Sequence, residues 1–230
     1  MTGKNIQLLL NLKKKKIYEK EDFLVSSSNK NAFDLVNIWP NWISRKLIIL
    51  GDSGTGKTHL SKIWKNKSSA IHLSFNKFEK TSVETFFKKK KKFIIENPSF
   101  FFKKVNEKKR TNIEKKFLHF YNLIEEKKGY LILTDTIAPK FWKINLPDLK
   151  SRILSSMFVK IKKPNDQLLY SVLIKLFADK QILIDKKIIQ FIVYRSERSF
   201  INLQKIVNKI DNQSLLKKKK INLNFIKEII

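Results

Sequence analysis

The stretch Lys46-Leu47-Ile48-Ile49-Leu50-Gly51-Asp52-Ser53-Gly54-Thr55-Gly56-Lys57-Thr58-His59-Leu60 decides how the chain is read. An apolar run, a glycine loop and the start of an amphipathic helix follow one another. The loop fits G-x-x-x-x-G-K-[ST], the phosphate-binding P-loop pattern. Gly51, Gly54 and Gly56 allow backbone conformations that turn successive N–H groups inward onto a phosphate, and the following helix adds the positive end of its dipole. Asp52, Ser53 and Thr55 complete the loop. Lys57 has the reach for β- and γ-phosphates, and the Thr58 hydroxyl is a ligand for Mg²⁺. Three of the five glycines in the chain lie in this one loop. The expected cofactors are therefore ADP or ATP with Mg²⁺.

At 230 residues and 42% hydrophobic content the chain can bury a core of one domain, or of a domain with a small lobe. It has no apolar run of the length a transmembrane helix needs. Its first apolar segment precedes the lysine run Lys13–Lys16, the reverse of the order in a secretory signal. Without cysteine there is no disulfide, thiolate metal site or thiol nucleophile, which is compatible with a reducing, cytoplasmic setting. His59, His72 and His119 show no metal-ligand spacing and are read as structural. The net charge of +29 raises the question of a nucleic-acid partner. Yet the runs Lys13–Lys16, Lys88–Lys92 and Lys217–Lys220 contain no arginine or aromatic residue, so they read as solvated faces and loop tips.

Residues 1–16 carry Gln7-Leu8-Leu9-Leu10-Asn11-Leu12 and then four lysines. Such a peptide either plugs a groove on a partner or is a disordered tail or an edge strand. Phe23-Leu24-Val25 leads into helix N-cap candidates at Ser26–Asn29, and a helix is expected from Lys30 to Ile38, stopped by Pro40. After the P-loop, strands are expected at Ala70–Phe75, Phe93–Asn97, Tyr130–Asp135 and Met157–Ile161, with helices at Thr81–Lys90 and Asn112–Glu126. Strands alternating with helices predict an α/β fold, a five-stranded parallel sheet flanked by helices. Ligands of such sheets bind at the carboxyl ends of the strands, which places Gly51, Glu96, Thr134 and Asp135 on one rim. Beyond Pro164 only helices are expected, at Asp166–Asp179, Asp185–Tyr194, Ser199–Asp211 and Asn222–Ile230. The organisation read from this is a tail (1–16), a nucleotide-binding base (17–163) and a small all-helical lid (164–230). Two expected strands end in a carboxylate, Glu96 and Asp135, and pattern alone does not choose which of them serves the metal.

Four stretches together resemble the AAA+ P-loop ATPases of the DnaA family, and within it the branch that inactivates the initiator. They are Gln7–Leu12; Phe23–Asn29 with Trp39-Pro40; Leu146-Pro147-Asp148-Leu149-Lys150-Ser151-Arg152; and Arg195-Ser196-Glu197-Arg198-Ser199-Phe200. The resemblance spans nearly the whole chain. It implies that Glu96, on the third strand, is the Mg²⁺ acid, and that Thr134 and Asp135 occupy the sensor position. Asn97 then stands where a second carboxylate would polarise the attacking water. An amide can orient water but cannot take its proton, so intrinsic hydrolysis is expected to be slow or absent. Arg152 is implied as an arginine finger acting in trans and Arg198 as a nucleotide contact from the lid. Gln7, Leu8, Leu10 and Leu12 are implied as a peptide for the DNA polymerase sliding clamp.

The sequence stops just after the lid, without the helix-turn-helix domain of the family's initiators, which favours a regulator. The function implied is negative regulation of replication initiation. A clamp-bound AAA+ protein would stimulate ATP hydrolysis by DnaA, meeting DNA mostly through the clamp, with a homodimer as a further possible assembly. The alternative is a self-contained, DNA-stimulated ATPase of clamp-loader or helicase-loader type.

Overall fold

The computed structural model describes residues 20–103 and 106–230. In chain order the elements are α1 (Lys30–Asn37), β1 (Lys46–Leu50), α2 (Lys57–Ser68), β2 (Ile71–His72), α3 (Phe75–Lys80), α4 (Val83–Lys89), β3 (Lys92–Glu96), α5 (Ser99–Lys103) and α6 (Glu107–Glu126). There follow β4 (Tyr130–Asp135), a 3₁₀ turn (Pro139–Phe141), α7 (Pro147–Leu154), β5 (Met157–Lys160), α8 (Asp166–Ala178), α9 (Lys186–Arg195), α10 (Phe200–Lys217) and α11 (Leu223–Ile229).

The strands form one five-stranded sheet in the order β2-β3-β4-β1-β5, parallel throughout. Because side chains alternate across a strand, each central strand feeds two cores. Ile48 and Leu50 of β1, with Phe93 and Ile95 of β3, pack into a phenylalanine-rich layer with Phe78, Phe102, Phe117 and Phe120. Leu47 and Ile49, with Ile94 and Ile132, face the other way onto Leu60, Ile63 and Trp64 of α2. Trp42 stacks on Trp64 at 5.6 Å between centroids and closes that layer. A third cluster, including Leu173, Phe177, Ile192, Leu203 and Phe225, belongs to α8–α11 alone.

Several boundaries differ from the sequence reading. The strand expected at Ala70–Phe75 is only Ile71–His72, because the Ser74 side chain accepts from the Lys77 amide and starts α3 there. The helix expected from Asn112 begins at Glu107, where Asn106 caps the Lys109 amide. The helix expected to end at Asp211 runs on to Lys217. The peptide Gln7–Leu12 and the run Lys13–Lys16 lie outside the described residues. Among the described residues no helix is long and apolar enough to cross a membrane.

Candidate functional site

The P-loop is built as its residues require. β1 ends at Leu50, the Gly51 amide donates to the Asp135 carbonyl of β4, and the chain turns into α2 at Lys57. A Cβ on Gly51 would stand 2.7 Å from Thr55 Oγ1, so only glycine leaves the loop this tight. Gly54 (φ +76°) and Gly56 (φ +102°) hold left-handed backbone. Gly56 occupies the N-cap of α2 and has no side chain to cap it, so the first amides of the helix are offered to an anion. Thr55 is tied inside by its hydroxyl donating to the Asp52 carbonyl. Asp52 and Ser53 lie exposed on the outside of the turn, where Asp52 faces Lys163 at 3.7 Å.

Lys57 is buried, and its ammonium donates to the carbonyls of Gly51 (2.6 Å) and Asp52 (2.8 Å). Burial lowers its pKa, while the carboxylates of Asp135, Asp52 and Glu96 oppose that shift. A phosphate placed here would meet a cation stripped of water, the condition under which a charge pair is strongest.

Glu96 ends β3 opposite Thr134 of β4. Its carboxylate accepts from Ser61 Oγ of α2 (3.2 Å) and has His72 Nε2 at 3.7 Å. Contact with His72 is the main cause holding this carboxyl below its ordinary value. Hydrogen bonds from Thr58 and Ser61 add to the effect, and burial opposes it. An ionised acid beside the Thr58 hydroxyl is a hard-oxygen pair suited to Mg²⁺, so the residues present fit both nucleotide and metal. The proximity of His72 was not legible in the sequence, where it was read as structural. The register that pairs His72 with Ile94, two residues before Glu96, is what brings it there.

The next residue turns the chain away. Asn97 adopts φ +52°, its amide donates to the Thr134 carbonyl at 2.6 Å, and it is exposed. Thr134 is buried at the end of β4. Asp135, implied beside Thr134 at the sensor position, is held by donors of the protein itself. It is buried, and it accepts from the Ser99 amide (2.9 Å) and hydroxyl (3.1 Å) and from the amides of Thr136 and Ile137. Two of these four donors come from Ser99, which opens α5, a helix absent from the sequence reading, and the other two are amides of the turn that follows β4.

The lid meets the base directly at the P-loop. The Phe200 amide, at the start of α10, donates to the Gly54 carbonyl at 2.9 Å. Phe23 and Phe200 both lie against Gly56, with ring carbons 3.4 and 3.6 Å from where a Cβ would stand. Phe23 also stacks on Phe33 and meets His59 edge-on. Asp22 joins the lid through Lys175 of α8 at 2.7 Å. Arg198, in the loop before α10, holds Asp166 at the start of α8 (2.8 Å) with both side chains exposed. Arg152 lies in the last turn of α7, its Nε donating to Asp148 (2.8 Å) and its side chain 49% exposed.

A glycine loop between β1 and α2, a carboxylate at the end of β3, two strands away, and a helical lid hydrogen-bonded to the loop give the chain the layout of a P-loop module. Residues 166–230 match the family described as Hda, lid domain. Among curated relatives, the chromosomal replication initiator protein DnaA of Buchnera aphidicola subsp. Cinara cedri is 25% identical, over 99% of this chain and 55% of that protein. DnaA of Borrelia duttonii is 26% identical, over 94% of this chain and 48% of that protein. The chain thus spans about half the length of the curated relatives it matches. Domain III of Thermotoga maritima DnaA superposes with a TM-score of 0.78 at 16% identity, over 94% of this chain and 96% of that one. AMPPCP-bound DnaA of Aquifex aeolicus gives 0.68 at 19% identity, over 88% of this chain and 66% of that one. The Thermotoga maritima RuvB branch-migration motor gives 0.69 at 12% identity, over 93% and 71%. The fold is that of an AAA+ module, a parallel five-stranded base with an all-helical lid. Within that class, residues 166–230 resemble the Hda lid, and the chain as a whole is similar to the AAA+ domain of DnaA proteins.

Proposed function

We propose that the chain is a negative regulator of replication initiation that pairs with ATP-bound DnaA and completes its neighbour's active site. In this reading ADP or ATP lies on the Gly51–Thr58 cradle between base (17–163) and lid (164–230). Lys57 and Arg198 serve its phosphates, and Thr58 and Glu96 would hold Mg²⁺, which when bound screens phosphate charge. Thr134 borders the γ-phosphate position, with Asp135 bracing the turn beside it. The nucleotide's task is to set the angle between lid and base, because the lid is bonded to the loop that grips it.

The observation that carries the proposal is Arg152: a half-exposed guanidinium at the end of α7, well separated in sequence from the P-loop. Arginine presents a planar, permanently charged fork suited to phosphate oxygens. Exposed Leu154 and Phe158, the latter on edge strand β5, flank the same turn and supply apolar area for a second module. Asn97 in place of an acid fits a module that promotes hydrolysis elsewhere. Gln7, Leu8, Leu10 and Leu12 would dock on the sliding clamp and bring the pair to DNA in the cytoplasm, at the replisome.

The test is reconstitution with clamp-loaded DNA and DnaA-ATP. The intact chain should stimulate hydrolysis by DnaA and be captured by the clamp. Gln7→Ala should abolish capture, and Arg152→Ala should abolish stimulation while leaving capture intact. The self-contained ATPase reading draws on the P-loop and on Glu96, whose carboxylate lies beside the Thr58 hydroxyl of the same loop. Turnover by the isolated chain, stimulated by DNA, would favour it.

A further inference from the structure

Helix α7 begins without a cap of its own. Leu146, at its N-cap, has no side-chain acceptor, and Pro147 at N1 removes one amide donor. Most other helices of the chain, α6 and α8–α11 among them, start on an Asn, Asp or Ser that accepts from their own first turn. The start of α7 is instead held from α6, by an acceptor about thirty residues earlier that takes the two amides immediately preceding the helix. Glu114, only 2% exposed, accepts from the amides of Asn145 (Oε1, 3.0 Å) and Leu146 (Oε2, 2.8 Å).

The other end of α7 is held from the same helix. The Ser156 hydroxyl donates to the carbonyl of Arg152 at 3.0 Å, and Tyr121 Oη lies 3.0 Å from Ser156 Oγ. A serine hydroxyl has one hydrogen, already given to Arg152, so Tyr121 must be the donor to Ser156. Tyr121 is buried, which pushes its phenol up and keeps that hydrogen in place. Glu114 and Tyr121 are seven residues apart, two helical turns, so they share one face of α6. Between them Phe117 stacks on Tyr121, and Leu149 and Ile153 of α7 are buried in the same core.

We infer that Glu114 and Tyr121 are positioning residues that brace α7 at both ends and thereby aim Arg152. Packing of Leu149 and Ile153 fixes which side of α7 faces the core but leaves it free to slide and tilt. Two polar fixings at opposite ends remove those motions. This role rests on the reading of Arg152 as a trans finger, and it adds the means by which the guanidinium is delivered at a set place. A displacement of about 1 Å can cost about 10²-fold in rate, so such a brace has a measurable consequence.

The test uses Glu114→Gln, which satisfies one amide and sets an N–H against the other, and Tyr121→Phe, which keeps the ring. The chain has no cysteine, so spin labels at Lys150→Cys on α7 and Lys65→Cys on α2 report one distance cleanly. Each variant is expected to broaden that distance distribution. Each should also lower the maximal stimulation of DnaA hydrolysis by about 10-fold or more at unchanged half-saturating concentration. Adding Glu114→Gln to Arg152→Ala should cost nothing further, because both act through one group. Unchanged distances in both variants would overturn the inference, as would a further loss in the Arg152→Ala background. Stimulation insensitive to Arg152→Ala would instead remove the trans-finger reading, and the label distances would still decide whether α6 holds α7.

Discussion

The Phe200 amide donates to the Gly54 carbonyl, so the first residue of a lid helix is bonded to the loop that forms the phosphate cradle. Anything that reorders the loop must move the lid, and a displaced lid releases the loop. Gly54 is the point where this coupling is most exposed to substitution. A Cβ there would lie 2.9 Å from the Ser199 Cβ and 3.3 Å from the Ile201 amide nitrogen, and φ is +76°. Gly54→Ala is expected to cost roughly 1–3 kcal/mol of stability from backbone strain. It should also weaken ADP binding by more than tenfold, read by calorimetry on the folded variant. Unaltered affinity would mean that lid contact and nucleotide grip are independent.

Lys57 should separate binding from folding. Its ammonium is desolvated and holds only backbone carbonyls, so Lys57→Ala removes a costly buried charge along with two hydrogen bonds. The melting temperature should change little. ADP affinity should fall by about 10- to 150-fold, the equivalent of one charge-assisted hydrogen bond of roughly 1.5–3 kcal/mol. A large drop in melting temperature without nucleotide would show that the lysine is structural.

Contact with His72 has a pH signature through Glu96. A carboxyl lowered on folding binds its proton less readily in the native than in the unfolded state. Its contribution is complete above the unfolded value and is lost as pH falls through the folded one. For Glu96, stability gained at neutral pH should begin to fall near the ordinary value of 4.5 and be gone only below the lowered folded value. His72→Ala removes the largest cause of the shift, so its melting temperature should lie below that of the wild type at neutral pH. The two curves should converge on acidification, and parallel curves would exclude this coupling.

Arg198 pairs with Asp166 across an exposed surface, an arrangement worth about 0–1 kcal/mol. Arg198→Ala should therefore leave thermal stability nearly unchanged. A drop in nucleotide affinity with stability intact would assign the guanidinium to phosphate. Unchanged affinity would leave it as a link between α8 and α10.

The parts of this molecule visible in the sequence are those whose signal is local. Glycines at 51, 54 and 56 followed by Lys57-Thr58 require a strand, a tight turn and a helix. The apolar runs Lys46–Leu50 and Tyr130–Asp135 stand almost where they were expected. Parallel pairing followed from the alternation of strands and helices. Short elements were lost because their determinants are single residues: Ser74 ends β2 early, and Ser99 opens a five-residue helix. The site's finer arrangement depends on partners far apart in sequence. Glu96 with His72, Asp135 with Ser99 and Glu114 with Leu146 are 24, 36 and 32 residues apart. No local pattern reports such pairs. Asp135 shows the consequence, since the amides and hydroxyl that surround it come from Ser99 and from the turn after β4, which no local pattern reports.

The central claim is that Arg152 serves a neighbour's nucleotide. It is tested most directly by single-turnover hydrolysis of ATP bound beforehand to DnaA, with clamp-loaded DNA present. The wild-type chain should accelerate cleavage, and Arg152→Ala should lose roughly 10³-fold or more of that acceleration. A chain carrying Thr58→Ala, altered only in its own site, should cleave no less completely once pairing is saturated. Acceleration that survives Arg152→Ala would remove Arg152 as the finger, and acceleration that vanishes with Thr58→Ala at saturation would make this chain's own site essential; either contradicts the account.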